Sequence, residues 1–235
     1  PINTVMRFWE ITEARVEPDW EFIADLEPAI DDALADYQEF LQTNNDKDDI
    51  NELEELLNFE TEDFPIEFIT DYSERKDPDE WISAAADWTE KDGKFMTVYL
   101  HAKNLDKVYG PKTFKKILMR MLQHETIHWN QYDKMDQKVL PKYKSGYMKG
   151  LDQVKKGGTQ ADLMRSYLRD PHELMAYASD LASEIKDTQN PEQVLRNPEA
   201  HKDDLPSYAR YRQVFEPNSK ELKQLLKYTA DYYNG

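Results

Sequence analysis

The stretch ILMRMLQHETIHWNQ, residues 117–131, decides how the rest of the chain is read. Its apolar residues recur at spacings of three and four, the period of an amphipathic helix. Phe114, Ile117, Leu118, Met121, Leu122 and His128 fall on one stripe of that helix. Two of the five histidines of the chain, His124 and His128, lie inside the stretch with Glu125 between them. Residues four apart on a helix stand one above the other on the same face. Two imidazoles so placed can reach a single zinc ion, at about 2.0–2.1 Å each. Glu125, about 100° further round the helix, stands beside such an ion and can take a proton from water. The plainer reading is a pair of hydrogen-bonded core histidines next to an exposed glutamate.

A catalytic zinc takes three protein ligands and keeps one position open. The remaining histidines are His101, His172 and His201. The longer His-Glu-x-x-His-x-x-Gly-x-x-His spacing is absent, because residue 134 is Lys. The favoured third ligand is Glu173, in YLRDPHELMAYASDLA (167–182). Pro171 suits the first turn of a helix. Glu173 would project from that turn while Leu174, Tyr177, Ala178 and Leu181 pack inward. Ala176, one turn on, is small enough to let two helices approach. Glu173 could instead be an acid placed favourably at a helix N-terminus. His172 is the rival ligand, and Asp180 could orient a ligand histidine.

His124-Glu125-Thr126-Ile127-His128, followed by Glu173-x-x-Ala176, resembles the gluzincin branch of zinc metallopeptidases. His128-Trp129-Asn130-Gln131 and Asp170-Pro171-His172-Glu173-Leu174-Met175-Ala176 are closer still to small metallopeptidases encoded by tailed phages, marine ones included. The resemblance covers residues 80–187. It implies an α+β, zincin-like fold, mostly helical, with a small sheet or hairpin next to the active-site helix. The edge strand of that sheet could bind an extended peptide by strand addition. The implied activity is peptide-bond hydrolysis with Zn2+ on His124, His128 and Glu173 and with Glu125 as general base. A further donor is needed for the oxyanion. Tyr143, Tyr147, Tyr167 and His172 are candidates, with Tyr167 preferred. Gln131 either orients His128 or belongs to the helix surface. Two imidazoles and a carboxylate also suit iron(II), but the glutamate inside the motif favours zinc.

Composition narrows the field. The chain has 235 residues, 39% of them hydrophobic, enough for a core in one domain or little more. There is no cysteine, which excludes disulfides and thiolate sites and leaves His, Asp and Glu as metal ligands. No apolar run approaches the roughly 20 residues that span a bilayer. The opening PINTVMRFWE has no basic stretch followed by an apolar one, so no secretory signal is expected. The expected location is the host cytoplasm or a virion. Charge is uneven: residues 1–90 hold 28 Asp/Glu against 5 Lys/Arg, and residues 91–235 hold 19 against 25. The acidic part would repel a phosphate backbone, so nucleic acid is not an expected partner. It could simply solvate the protein, or dock on a basic surface.

Outward from the motif, residues 19–43 read as a helix with Pro28 as a kink or break, and 47–59 as a second, shorter helix. PIEFIT (65–70) alternates as a strand. Asp92-Gly93 marks a tight turn between strands 82–90 and 94–102. Residues 138–158, with Pro141, Gly146, Gly150 and Gly157-Gly158, read as a basic irregular segment. A helix over 160–187 should break at Asp170-Pro171. Four prolines in 188–217 suggest an extended surface segment with a short helix at 207–214, before a final helix over 218–233. Three regions follow: an acidic, mainly helical 1–79; a metallopeptidase core at 80–187; and an extended segment with a C-terminal helix at 188–235.

The sequence therefore leads to a zinc-dependent peptidase acting on a peptide or protein substrate. The alternatives are a virion structural or assembly protein that keeps the fold and metal with little or no turnover, its partners being other virion proteins, and a zinc-binding regulator or toxin-like peptidase acting in a bacterial host.

Overall fold

The computed structural model describes residues 15–43, 50–72, 82–89, 93–101, 111–135 and 145–235. Among the described residues the chain is mostly helical with one three-stranded sheet, an α+β composition. It divides into two compact units. One is Pro18–Asp133; the other is Lys134–Gly235 together with the described part of Pro1–Glu17.

The first unit holds α1 (Trp20–Thr43), α2 (Ile50–Glu60), β1 (Ile66–Asp71), β2 (Ile82–Thr89), β3 (Gly93–His101) and α3 (Pro111–Lys134). Asp19 caps α1 by accepting from the Phe22 amide at 3.1 Å. Pro28 lies inside α1 without ending it. The helix forgoes one backbone bond there, and the burial of Leu26, Ile30 and Ala33 holds it in place. The strand order is β1-β3-β2, so β2 is an edge among the described residues. β2 and β3 form the expected antiparallel hairpin, and β1 joins β3 in parallel. Gly93, the first residue of β3, has φ of +74°, a conformation suited to glycine. The other residues of the expected turn, up to Asp92, lie outside the described residues.

Phe114, Leu118 and Leu122 of α3 pack into one apolar cluster with Phe68, Met96, Val98 and Leu100 of the sheet and with the buried faces of α1 and α2. The acidic helices thus share a core with the motif helix. Charge and packing divide the chain differently.

The second unit holds α4 (Gly146–Lys155), α5 (Gln160–Leu168), α6 (Pro171–Lys186), α7 (Pro191–Arg196), a 3-10 helix (Pro198–Asp204), α8 (Pro206–Val214) and α9 (Lys220–Asn234). α6 is its buried centre, with Leu174, Met175, Ala176, Ala178, Leu181 and Ile185 all covered. It packs against α5, α8 and α9. The expected break at Asp170-Pro171 is present: Asp170 caps α6 and Pro171 opens it.

Two expectations need correction here. Residues 146–155 are helical, not irregular. Gly146 and Gly150 are one turn apart and let α4 lie against α5: a Cβ on Gly150 would stand 2.8 Å from the Leu163 Cα. The expected short helix at 207–214 is present as α8, but residues 188–205 are not extended. Pro191, Pro198 and Pro206 each open a short helix, where a missing N–H costs nothing. These helices bury Val194, Leu205, Tyr208 and Tyr211. Among the described residues no helix is long and apolar enough to cross a membrane.

Candidate metal centre

α3 carries the motif in the middle of its length, where backbone position is best fixed. Three contacts fasten it to its neighbours within the unit, and one further hydrogen bond lies inside the helix. Thr126, between the two histidines, accepts from the Asp19 amide at 3.1 Å and donates to the Gln123 carbonyl at 3.0 Å. Trp129 Nε1 donates to the Phe95 carbonyl of β3 at 3.1 Å. Its indole meets the Phe22 ring edge-on at 4.9 Å.

On the other side of the helix, His124 and His128 present their rings to each other, with centroids 5.1 Å apart and planes 70° apart. One ligand atom from each of His124, Glu125 and His128 lies within 4.8 Å of the others. All three residues are buried, each 8% exposed. This is the spacing and chemistry a divalent ion needs: borderline-soft nitrogen donors and a hard oxygen, shielded from bulk water.

His128 has a buried partner for its second nitrogen. Its Nδ1 is 2.9 Å from Gln131 Oε1, which can only accept. A hydrogen on Nδ1 makes this bond and leaves Nε2 with the lone pair a metal requires. Gln131 is itself buried, 3% exposed, so it orients His128 and does not belong to the helix surface.

Glu125 has a partner the sequence did not reveal. Its Oε2 accepts from the Ala86 amide of β2 at 2.8 Å. Met96, opposite Ala86, gives its own N–H to the Pro65 carbonyl on the side away from β2. In an antiparallel ladder a non-bonded pair turns both amides away from each other. The Ala86 N–H therefore points out from the sheet edge, where Glu125 meets it.

Glu173 and Tyr167 lie in the second unit, and the structure brings those two together. Glu173 occupies the first turn of α6. The Tyr167 phenol is pushed well above its ordinary range by burial, and the neighbouring Glu173 and Tyr177 add to the shift by charge and hydrogen bonding. It stays protonated through the physiological range and so remains a donor. Tyr147, 47% exposed, and Tyr177 each meet the Tyr167 ring edge-on at 6.3 Å. Arg210 donates to the Tyr177 hydroxyl at 2.8 Å.

Among the other candidates, His172 and Asp180 are buried on α6, and Tyr143 lies outside the described residues. His201 lies on the 3-10 helix of the same unit. His101 ends β3 in the first unit, with Nδ1 3.1 Å from Asp71 Oδ2 and Nε2 3.0 Å from Ser83 Oγ. It links the three strands.

A scan against protein-family models found no match, and searches of curated proteins and of solved structures found none either.

Proposed function

We propose that this chain is a zinc-dependent metallopeptidase that hydrolyses peptide bonds, with Glu125 as general base. The observation that carries this reading is the convergence of His124, Glu125 and His128 on one buried face of a single helix. His124 and His128 would hold the ion. Glu173 would be the third ligand, a role supplied by the sequence resemblance. When bound, the ion supplies Lewis acidity that acidifies water and polarises a carbonyl. Glu125 takes the proton from water and delivers it to the leaving amine. Tyr167, protonated at neutral pH, offers a hydroxyl to the developing oxyanion. The β2 edge would hold an extended peptide through its backbone groups. The setting we propose is that of the phage enzymes the motif resembles, in the host cytoplasm or on the virion.

The test pairs metal analysis with proteolysis of casein and a peptide library. Wild type should carry one zinc and cleave. Glu125→Gln should keep the zinc and lose about 10²–10⁴-fold in rate. His124→Ala should lose the metal, and Glu173→Ala should bind it more weakly. Zinc-loaded wild type that leaves every substrate intact would overturn the enzymatic reading in favour of a silent assembly component.

A further inference from the structure

The three converging donors raise a question of division of labour. A carboxylate whose oxygen comes within 4.8 Å of two imidazole nitrogens has the chemistry to join them as a third ligand. A carboxylate bound that way is a poor base, because the cation draws charge from both of its oxygens. Something has to assign Glu125 to one task.

We infer that the backbone amide of Ala86 makes that assignment: by holding Glu125 Oε2 on the rim of the sheet, it keeps the carboxylate from closing onto the ion. The inference rests on the proposal above that His124 and His128 hold a divalent ion. Three features support it. The bond is short, 2.8 Å, and its acceptor is a carboxylate, which makes it one of the stronger hydrogen bonds a backbone amide can form. The donor is not borrowed from the β2–β3 ladder, since the Ala86–Met96 pair is of the non-bonded kind. Both ends are rigid. Glu125 sits in mid-helix on α3, and α3 is tied to β3 by the Trp129–Phe95 bond, while β3 is paired with β2 along its length.

The arrangement also bears on substrate register. The edge groups of alternate β2 residues point outward, and those of Ala84 fall in the same class as those of Ala86. With the Ala86 N–H engaged by Glu125, a peptide strand added to this edge cannot use that donor. The step of the substrate backbone at the catalytic carboxylate is therefore set by Ala84 N–H and C=O together with Ala86 C=O.

The test is Ala86→Pro, which deletes this one donor at an edge position where proline is tolerated. The comparison is Ala84→Pro, which deletes the next outward donor. Zinc-edge X-ray absorption on the zinc-loaded full chain counts the ligands. Ala86→Pro should gain one oxygen neighbour over wild type and bind zinc at least as tightly. Adding Glu125→Gln should remove that neighbour, and Ala84→Pro should match wild type. An unchanged ligand count in Ala86→Pro would overturn the inference.

Should Ala86→Pro fail to fold, amide exchange by NMR reads the same bond in the native chain. With zinc bound, the Ala86 amide should exchange at least tenfold more slowly than the Ala84 amide, and Glu125→Ala should abolish the difference. Equal rates in zinc-loaded wild type would overturn the inference. These readouts do not depend on turnover: zinc-bound but inactive wild type overturns the proposed activity alone, and wild type that binds no ion overturns both.

Discussion

Gln131 Oε1 lies 2.9 Å from His128 Nδ1, one helical turn beyond the histidine it orients. The bond decides which nitrogen of His128 keeps a lone pair. Gln131→Leu removes the acceptor and leaves the ring free to take the other tautomer. Zinc affinity, measured by competition with a chromogenic chelator, should fall about 10–100-fold, the usual cost of losing such a partner. Gln131→Glu restores an acceptor and should recover most of it.

Gly150 tests the helix pair of the second unit. A Cβ there would meet Leu163 Cδ1 at 2.7 Å, its Cα at 2.8 Å and its carbonyl oxygen at 2.9 Å. The last two belong to backbone and cannot swing away. Gly150→Ala should lower stability by about 1–3 kcal/mol, read as a shift in the urea midpoint. The gain in helix propensity, about 1 kcal/mol, works against this loss and does not cancel it in a close-packed contact.

Glu184 is a buried carboxylate on α6 that closes the start of α8. Its two oxygens accept from the Ser207 amide at 3.2 Å, and Oε1 also accepts from the Ser207 hydroxyl at 2.8 Å. Glu184→Ala leaves both donors unsatisfied in a covered position. The expected loss is about 1.5–3 kcal/mol by chemical denaturation, with Glu184→Gln in between.

Alkaline pH should unfold the protein through its tyrosines. Burial and the adjacent Glu199 push the Tyr208 phenol up to about 12, and burial drives Tyr211 and Tyr167 well above their usual range. These phenols stay neutral in the folded chain and ionise near 10 in the unfolded one. Their contribution is complete below pH 10 and falls as pH climbs from there toward the folded values. Denaturation midpoints should be flat between pH 8 and about 9.5 and drop above pH 10. Tyr208→Phe should soften the drop, and phenolate absorbance should lag behind that of the denatured protein.

Much of the fold was legible because its signals are local. The α3 stripe sets a helix of the right length, Asp92-Gly93 sets a hairpin, and Asp170-Pro171 sets a boundary between helices. The His124–His128 pair follows from helical pitch alone. What failed was the reading of glycine and proline without their neighbours. Gly146 and Gly150 resemble breakers until the backbone of α5 is seen across from them, and Pro191, Pro198 and Pro206 resemble extended chain until each is found at a helix start. The parallel pairing of β1 with β3 joins residues distant in sequence and leaves no mark on periodicity. The Ala86–Glu125 bond was invisible for a related reason: a backbone amide has no letter of its own.

The fastening of α3 has a thermodynamic consequence. Thr126 and Trp129, the residues that secure the helix to α1 and β3, alternate with those that would meet the ion. Folding has therefore already fixed the imidazoles, and ligand capture would have little disorder left to remove. Such a receptor should take up its cation with an almost unchanged far-ultraviolet dichroism spectrum, and its thermal melting point should rise in step with the logarithm of free zinc once the site is saturated.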